Sequence, residues 1–286
     1  MSEYYLNELS LNGQYLNIDE FIILNREFIE CLRWINNKKF SVFKKSDFYR
    51  SLITSNDSVY ALGGYRSSKG EVNDLLRKFK LLLELINKDP FWDIGCDYTI
   101  GECLLKEQDL IGSSLAVAAL RDAATLSFVK SDYFDKILEI SLDGCCKEVF
   151  SISSLYMQSE YLIHKGIVDY DTIFQIRYRE TNLDFSKLEK EYGFSEFQKH
   201  EIRDCINTFD RFVKMSWEQI YNDTSLHYKA YSPSRKKNWF ADDIECNMKS
   251  IDKFRCVNPK RCYGYRENDK FYVVRMERDH TISDYG

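Results

Sequence analysis

Apolar residues recur at steps of three and four along much of this chain, and that spacing marks helix faces. From Asp19 onward the series runs Phe21, Ile22, Leu24, Phe28, Ile29, Leu32 and Ile35, and Asn36-Asn37-Lys38-Lys39 ends it. Glu71 to Asn87 is the clearest helix, with Val72, Leu75, Leu76, Phe79, Leu82, Leu83 and Ile86 on one face. Asp89-Pro90 stops it, because a residue before proline disfavours helical backbone. A shorter, alanine-rich helix is predicted over Leu115 to Asp122, capped by Ser113 or Ser114. Strands are predicted at Tyr4 to Leu11, Phe40 to Phe43, Ala124 to Val129 and Ile137 to Leu142, the last closed by Asp143-Gly144. Ser46-Asp47 is read as the cap of a brief helix through Ile53, and Asn56 to Gly70 as a surface loop.

Beyond Ile167 the pattern turns helical, with one segment at Tyr170 to Tyr178 and a long helix predicted over Phe194 to Tyr221. Periodicity fails between Ser225 and Ala241, around Ser232-Pro233-Ser234-Arg235-Lys236-Lys237. The end of the chain then alternates. Arg261-Cys262-Tyr263-Gly264-Tyr265-Arg266 and Phe271 to Met276 flank a turn of Asn, Asp and Lys, which is a hairpin signal, and Phe254 marks a third strand. The expected class is α+β. It comprises a mixed α/β domain over residues 1–165, a helical segment over 166–225 and a basic β-rich module over 226–286.

Composition adds a folded chain with an aromatic core: 286 residues, 44% hydrophobic, with 20 Tyr and 19 Phe. The net charge of −5 is mild, but its distribution is uneven. From His227 onward there are 13 Lys and Arg against 9 Asp and Glu, and the preceding part is acidic overall. Such asymmetry points either to a localised anionic partner or to neutralisation of the tail by the chain's own acidic body. Nine irregularly spaced cysteines without a C-x-x-C pair read as reduced, mostly buried thiols. The start of the chain lacks the pattern of a signal peptide, and no apolar run is long enough to span a bilayer, so a cytoplasmic protein with no membrane association is expected.

The sequence lacks a G-x-x-x-x-G-K-[ST] loop and a G-x-G-x-x-G fingerprint, which disfavours NTP- and dinucleotide-dependent chemistry, and it has no G-x-S-x-G elbow, although a Ser-His-Asp triad stays open. No two of the four histidines have metal-ligand spacing, and no cofactor is expected. Asp89, Asp93, Asp97, Glu102 and Asp109 surround Phe91-Trp92. They are either a solvated charged loop or, as hard oxygen ligands, a Mg²⁺ site for a metal-dependent nuclease. Leu115 to Phe128 resembles the helix-to-strand stretch of PIN-type nuclease domains, but the acidic first strand of those domains is missing. Arg275 and His280 fit the R-x-x-x-x-H pattern of HEPN ribonucleases, in a strand-like run rather than on a helix.

The C-terminal tenth of the chain resembles the hairpin of RelE/HigB-type mRNA-cleaving toxins: a strand opened by Arg261, a polar turn, the apolar strand Phe271 to Met276, then His280 and Tyr285. The resemblance implies metal-independent cleavage of RNA, with Arg261, His280 and Tyr285 as catalytic residues. It further implies phosphate contacts from Lys253, Arg255 and Lys260, joined by Arg266, Arg275 and Arg278, and base stacking by Tyr263 or Tyr265. Those toxins are small free-standing domains, whereas a large body precedes the segment in this chain. The expectation is a bacterial RNA-targeting effector of toxin-antitoxin or antiviral-defence type, partnered by RNA and by a protein from the same operon. The alternatives are a non-enzymatic protein whose basic hairpin docks an acidic partner, and the metal-dependent nuclease above.

Overall fold

The computed structural model describes residues 3–86, 91–95, 98–233, 238–241 and 248–279. The chain is an α+β protein that divides into two compact units, Met1–His164 and Lys165–Gly286.

Unit 1 runs through β1 (Glu3–Leu6), α1 (Ile18–Leu24), α2 (Arg26–Asn37), β2 (Ser41–Phe43) and α3 (Gly70–Ile86). It continues through β3 (Cys103–Leu105), β4 (Gln108–Asp109), α4 (Ser114–Arg121), β5 (Ala124–Leu126), β6 (Lys136–Leu142), β7 (Cys145–Ile152) and α5 (Leu155–Lys165). The strands form one sheet in the order β2-β1-β5-β7-β6-β3-β4. β2, β1, β5 and β7 are parallel, and β6, β3 and β4 extend the sheet antiparallel. The helix predicted from Asp19 to Ile35 is split at Asn25, which is fully buried. Its amide donates to Tyr15 Oη at 2.9 Å and to the Phe21 carbonyl at 2.8 Å, and accepts from Val129 N–H at 3.1 Å. A side chain satisfied this way makes the break stable, because leaving those groups unpaired in the core would be costly.

In open α/β sheets, ligands favour the carboxyl ends of the strands where the strand order reverses. Here that position, between β1 and β5, holds amide and hydroxyl groups that bond to one another, with Asp135 accepting from Ser153 and Ser154 N–H beside them. Asn7 donates to Ser127 Oγ at 2.9 Å, Ser127 and Ser151 hydroxyls lie 2.7 Å apart, and Ser153 Oγ donates to the Ser127 carbonyl at 2.6 Å.

Unit 2 holds α6 (Tyr170–Arg177), β8 (Leu183–Asp184), α7 (Lys199–Phe212) and α8 (Trp217–Asn222), then β9 (Lys229–Ala230), β10 (Ile251–Arg255), β11 (Arg261–Glu267) and β12 (Lys270–Glu277). Its sheet order is β8-β12-β11-β10-β9, antiparallel except for the β12–β8 pair. The predicted 28-residue helix is interrupted because Ser216 starts a new one. Its hydroxyl accepts from Gln219 N–H while the Gln219 side chain accepts from Ser216 N–H, a reciprocal cap that satisfies two helix-end donors. Phe174, Phe194 and Phe209 from the helical part share one core with Phe254, Cys262, Phe271 and Met276 from the strands. The helical segment and the β-rich module are therefore one folding unit rather than two. A smaller cluster of Phe240, Ile251, Tyr263, Tyr265 and Val274 covers the opposite face of the sheet.

The β11–β12 register shifts between Tyr263 and Gly264, where Tyr263 pairs with Arg275 but Gly264 pairs with Val273. A Cβ on Gly264 would collide with the Tyr272 carbonyl oxygen. Backbone on backbone cannot yield as a flexible side chain does, so only glycine fits. Gly264→Ala is expected to destabilise unit 2 by about 2 kcal/mol or more, read as a lower midpoint in urea unfolding; an unchanged midpoint would contradict this packing.

Candidate nucleic-acid interface

Side chains directly opposite on neighbouring strands share a face of the sheet. The register therefore lines up two cross-strand rows in unit 2. One reads Lys229, Lys253, Tyr263 and Arg275, and the next reads Arg255, Arg261 and Glu277. The bulge leaves Val274 extra, so Val274 and Arg275 both meet the aromatic cluster around Phe240. The alternation of β10 and β11 thus sends Phe254 and Cys262 to the helices and gathers basic groups on the other side.

Several residues expected to contact RNA are engaged within the fold. Arg275 is buried, donates to Glu189 at 2.8 Å and to the Trp239 carbonyl, and lies over the rings of Tyr192 and Phe240 at 4.6 and 4.5 Å. Lys253 is buried, 5.5 Å from the Tyr231 ring centroid. Tyr263 is fully buried and donates to Glu277 at 2.8 Å, and buried Tyr265 stacks on Tyr272 at 5.3 Å. Lys260 and Arg278 both pair with Glu201, at 2.8 and 2.9 Å. Arg266 faces the helix side, 4.0 Å over Trp217, and donates to Tyr221 Oη. The expectation of an open RNA surface is corrected for Lys253, Lys260, Tyr263, Tyr265 and Arg275, which are buried and help to close the unit, whereas Arg278 is half-buried and Arg266 stays exposed. His280 and Tyr285 lie outside the described residues.

Arg255 and Arg261 remain, next to each other, and His227 and Lys229 join them. Asp223 accepts from Ser225 and Leu226 N–H at 2.9 and 2.8 Å, and this turn delivers His227 with φ 48°. The Leu226 carbonyl accepts from Arg255 N–H, and Arg255 Nη2 lies 3.3 Å from His227 Nδ1. Arg255 Nε is buried without a hydrogen-bond partner. Arg261 donates to the carbonyls of Pro259 and Lys260 at 2.8 and 3.0 Å. Among the described residues, no carboxylate forms an ion pair with Lys229, Arg255 or Arg261. The clustered charge is felt locally, although Glu277 opposite Arg261 opposes it. Lys229 first, then burial, Arg255, Arg261 and Lys253 push the His227 pKa down, while burial first and Arg255 second lower that of Arg261. His227 and Lys229 carry no distinctive motif; the only local signal is the Asp-x-Ser turn followed by alternation of inward Tyr228 and outward Lys229.

The acidic candidates of unit 1 do not converge among the described residues. Asp93 accepts from Ser46 N–H and Oγ at 2.8 and 2.7 Å, Asp109 accepts from Ile111 N–H at 2.9 Å, and Glu102 is exposed. Asp89 and Asp97 lie outside the described residues. No described group of three or more His, Cys, Asp and Glu is placed to hold a metal ion.

Burial alone would raise the Glu201 pKa, but the Gln198 N–H, Lys260 and Arg278 outweigh it and hold the carboxyl at about 2. A depressed carboxylate stabilises the fold above its unfolded pKa and loses that contribution as pH falls through the folded value. Glu201→Gln strands Lys260 and is expected to cost about 3 kcal/mol near neutral pH. That difference from the parent should shrink between about pH 4.5 and 2 in denaturation measured across pH; a pH-independent difference would contradict the ion pairs. For His227, imidazole NMR titration should give a pKa below the ordinary 6.5, and Lys229→Ala should raise it. A value at or above 6.5 in the parent protein would contradict the cationic corner.

No family model, curated protein or solved structure matches this chain.

Proposed function

We propose that unit 2 engages RNA through the Arg255–Arg261 side of its sheet and cleaves it without a metal ion, the chain acting as an RNA-targeting effector of toxin or phage-defence type. The observation that carries this reading is the pair of adjacent arginines with no described carboxylate ion pair, beside a row in which Arg275 is held by Glu189. In such a reaction the ribose 2′-OH attacks the neighbouring phosphorus, the 5′-oxygen leaves, and a 2′,3′-cyclic phosphate forms. A base takes the 2′-OH proton and an acid returns one to the leaving oxygen. The fork-shaped donors of Arg261 and Arg255 suit the charge that builds on the phosphorane oxygens. His280 is the acid or base that the toxin resemblance implies, three residues beyond Glu277 in sequence.

A second reading is favoured by a specific observation. Lys260, Arg278 and Arg275 are bound to Glu201 and Glu189, so much of the basic tail docks onto its own acidic helical part. On this reading the hairpin is a structural and protein-binding element. Incubation of the purified protein with RNA, with and without EDTA, separates the two. Cleavage that survives EDTA and falls at least 100-fold in Arg261→Ala and His280→Ala is the expected outcome. Absence of cleavage by the folded parent protein would favour the binding role, and cleavage abolished by EDTA would return attention to the acidic residues of unit 1.

A further inference from the structure

We propose that the corner made by His227, Lys229, Arg255 and Arg261 binds a phosphomonoester, the phosphate at the end of an RNA chain, more tightly than a phosphate within it. These four residues offer donors, while Glu277, opposite Arg261 in the register, accepts from Tyr263 Oη. Arg255 reaches His227 at Nδ1, so that nitrogen accepts, and the neutral imidazole carries its proton on Nε2. His227 therefore offers an N–H to a ligand, not a lone pair. Arg255 adds a buried Nε–H with no partner in the protein, which is a desolvated donor awaiting an acceptor. Lys229 is exposed beside it, and Arg261 keeps N–H groups beyond the Nη1 held by the Pro259 and Lys260 carbonyls. The occupant must bring oxygens and negative charge.

Charge and donor counts then choose among oxyanions. With His227 neutral, the corner carries the three fixed cations of Lys229, Arg255 and Arg261, and no described carboxylate pairs with them. A bridging phosphodiester presents one negative charge and two free oxygens. A terminal phosphate brings about −1.5 to −2 and three acceptor oxygens at neutral pH. The second matches donors arriving from β9, from the turn before it, from β10 and from β11. The depressed pKa of His227 agrees with a corner that is electropositive until an anion arrives. Only the source of the phosphate rests on the RNA reading; a mononucleotide or free phosphate carries the same chemistry.

The test uses the full chain and 2′-O-methyl oligoribonucleotides of one sequence, which cannot be cleaved through the 2′-oxygen. They carry a 5′-phosphate, a 3′-phosphate or no terminal phosphate, and a nucleoside monophosphate and inorganic phosphate serve as competitors. Fluorescence anisotropy at fixed salt is expected to show at least about tenfold tighter binding of one phosphorylated end. That gain should vanish in Arg255→Gln and in the exposed-residue variant Lys229→Ala, and Lys229→Ala should bind the unphosphorylated oligomer as before. Equal binding of all three oligomers, or a gain that survives both substitutions, overturns the terminal-phosphate preference while leaving RNA binding intact. Binding of the monophosphate that depends on Arg255, without binding of any oligomer, supports the phosphate corner and removes the RNA reading.

Discussion

Where β11 and β12 pair around Gly264, the two backbones come so close that no side chain fits, and the register slips by one residue. That slip governs the chemistry of the face. It directs Val273 and Met276 to the helical core while leaving Val274 and Arg275 together against the aromatic cluster. It also places Arg261 opposite Glu277 and Tyr263 opposite Arg275. Without it, a strictly alternating strand would place Arg275 and Val274 on opposite faces.

The cations sorted by this arrangement fall into two groups. Those near the helices and the covering aromatics are ion-paired: Lys260 and Arg278 share Glu201, and Arg275 is held by Glu189. Buried charges of this kind require such partners, since desolvation would otherwise outweigh any gain from packing. Those toward β9 and the turn before it have no such ion pair; Lys229 foremost lowers the His227 pKa, and burial first, then Arg255, lowers that of Arg261. Like charges held together cost stability, a cost that the proposed phosphate would relieve.

Much of the architecture is legible in the sequence, and the failures have physical causes. The hairpin from Arg261 to Glu277 follows from its alternation, and the helix over Gly70–Ile86 from its apolar face. The breaks at Asn25 and Ser216 are harder to see, because both lie within continuous apolar periodicity and depend on side-chain hydrogen bonds. β7 is hidden because its first half is exposed and its second half buried, and α5 because it buries Gln158 and Ser159 beside its apolar residues. At the site, the basic character of the tail is plain, but the fate of each charge is not. Glu201 lies some sixty residues before Lys260 in sequence, and the register that joins Arg255 to Arg261 exists only once the strands pair. No described helix is long and apolar enough to cross a membrane.

The central claim is that Arg255 and Arg261 meet phosphates. Counterion release makes single-strand affinity fall with salt, with a slope of about −0.7 per phosphate contact in a plot of log K against log salt concentration. Measured with one non-cleavable RNA, Arg255→Gln and Arg261→Gln should each flatten that slope by about 0.7. The same substitution at Arg266, which lies over Trp217 on the helix side, should leave it unchanged. Equal slopes for the parent protein and both arginine variants would contradict the account.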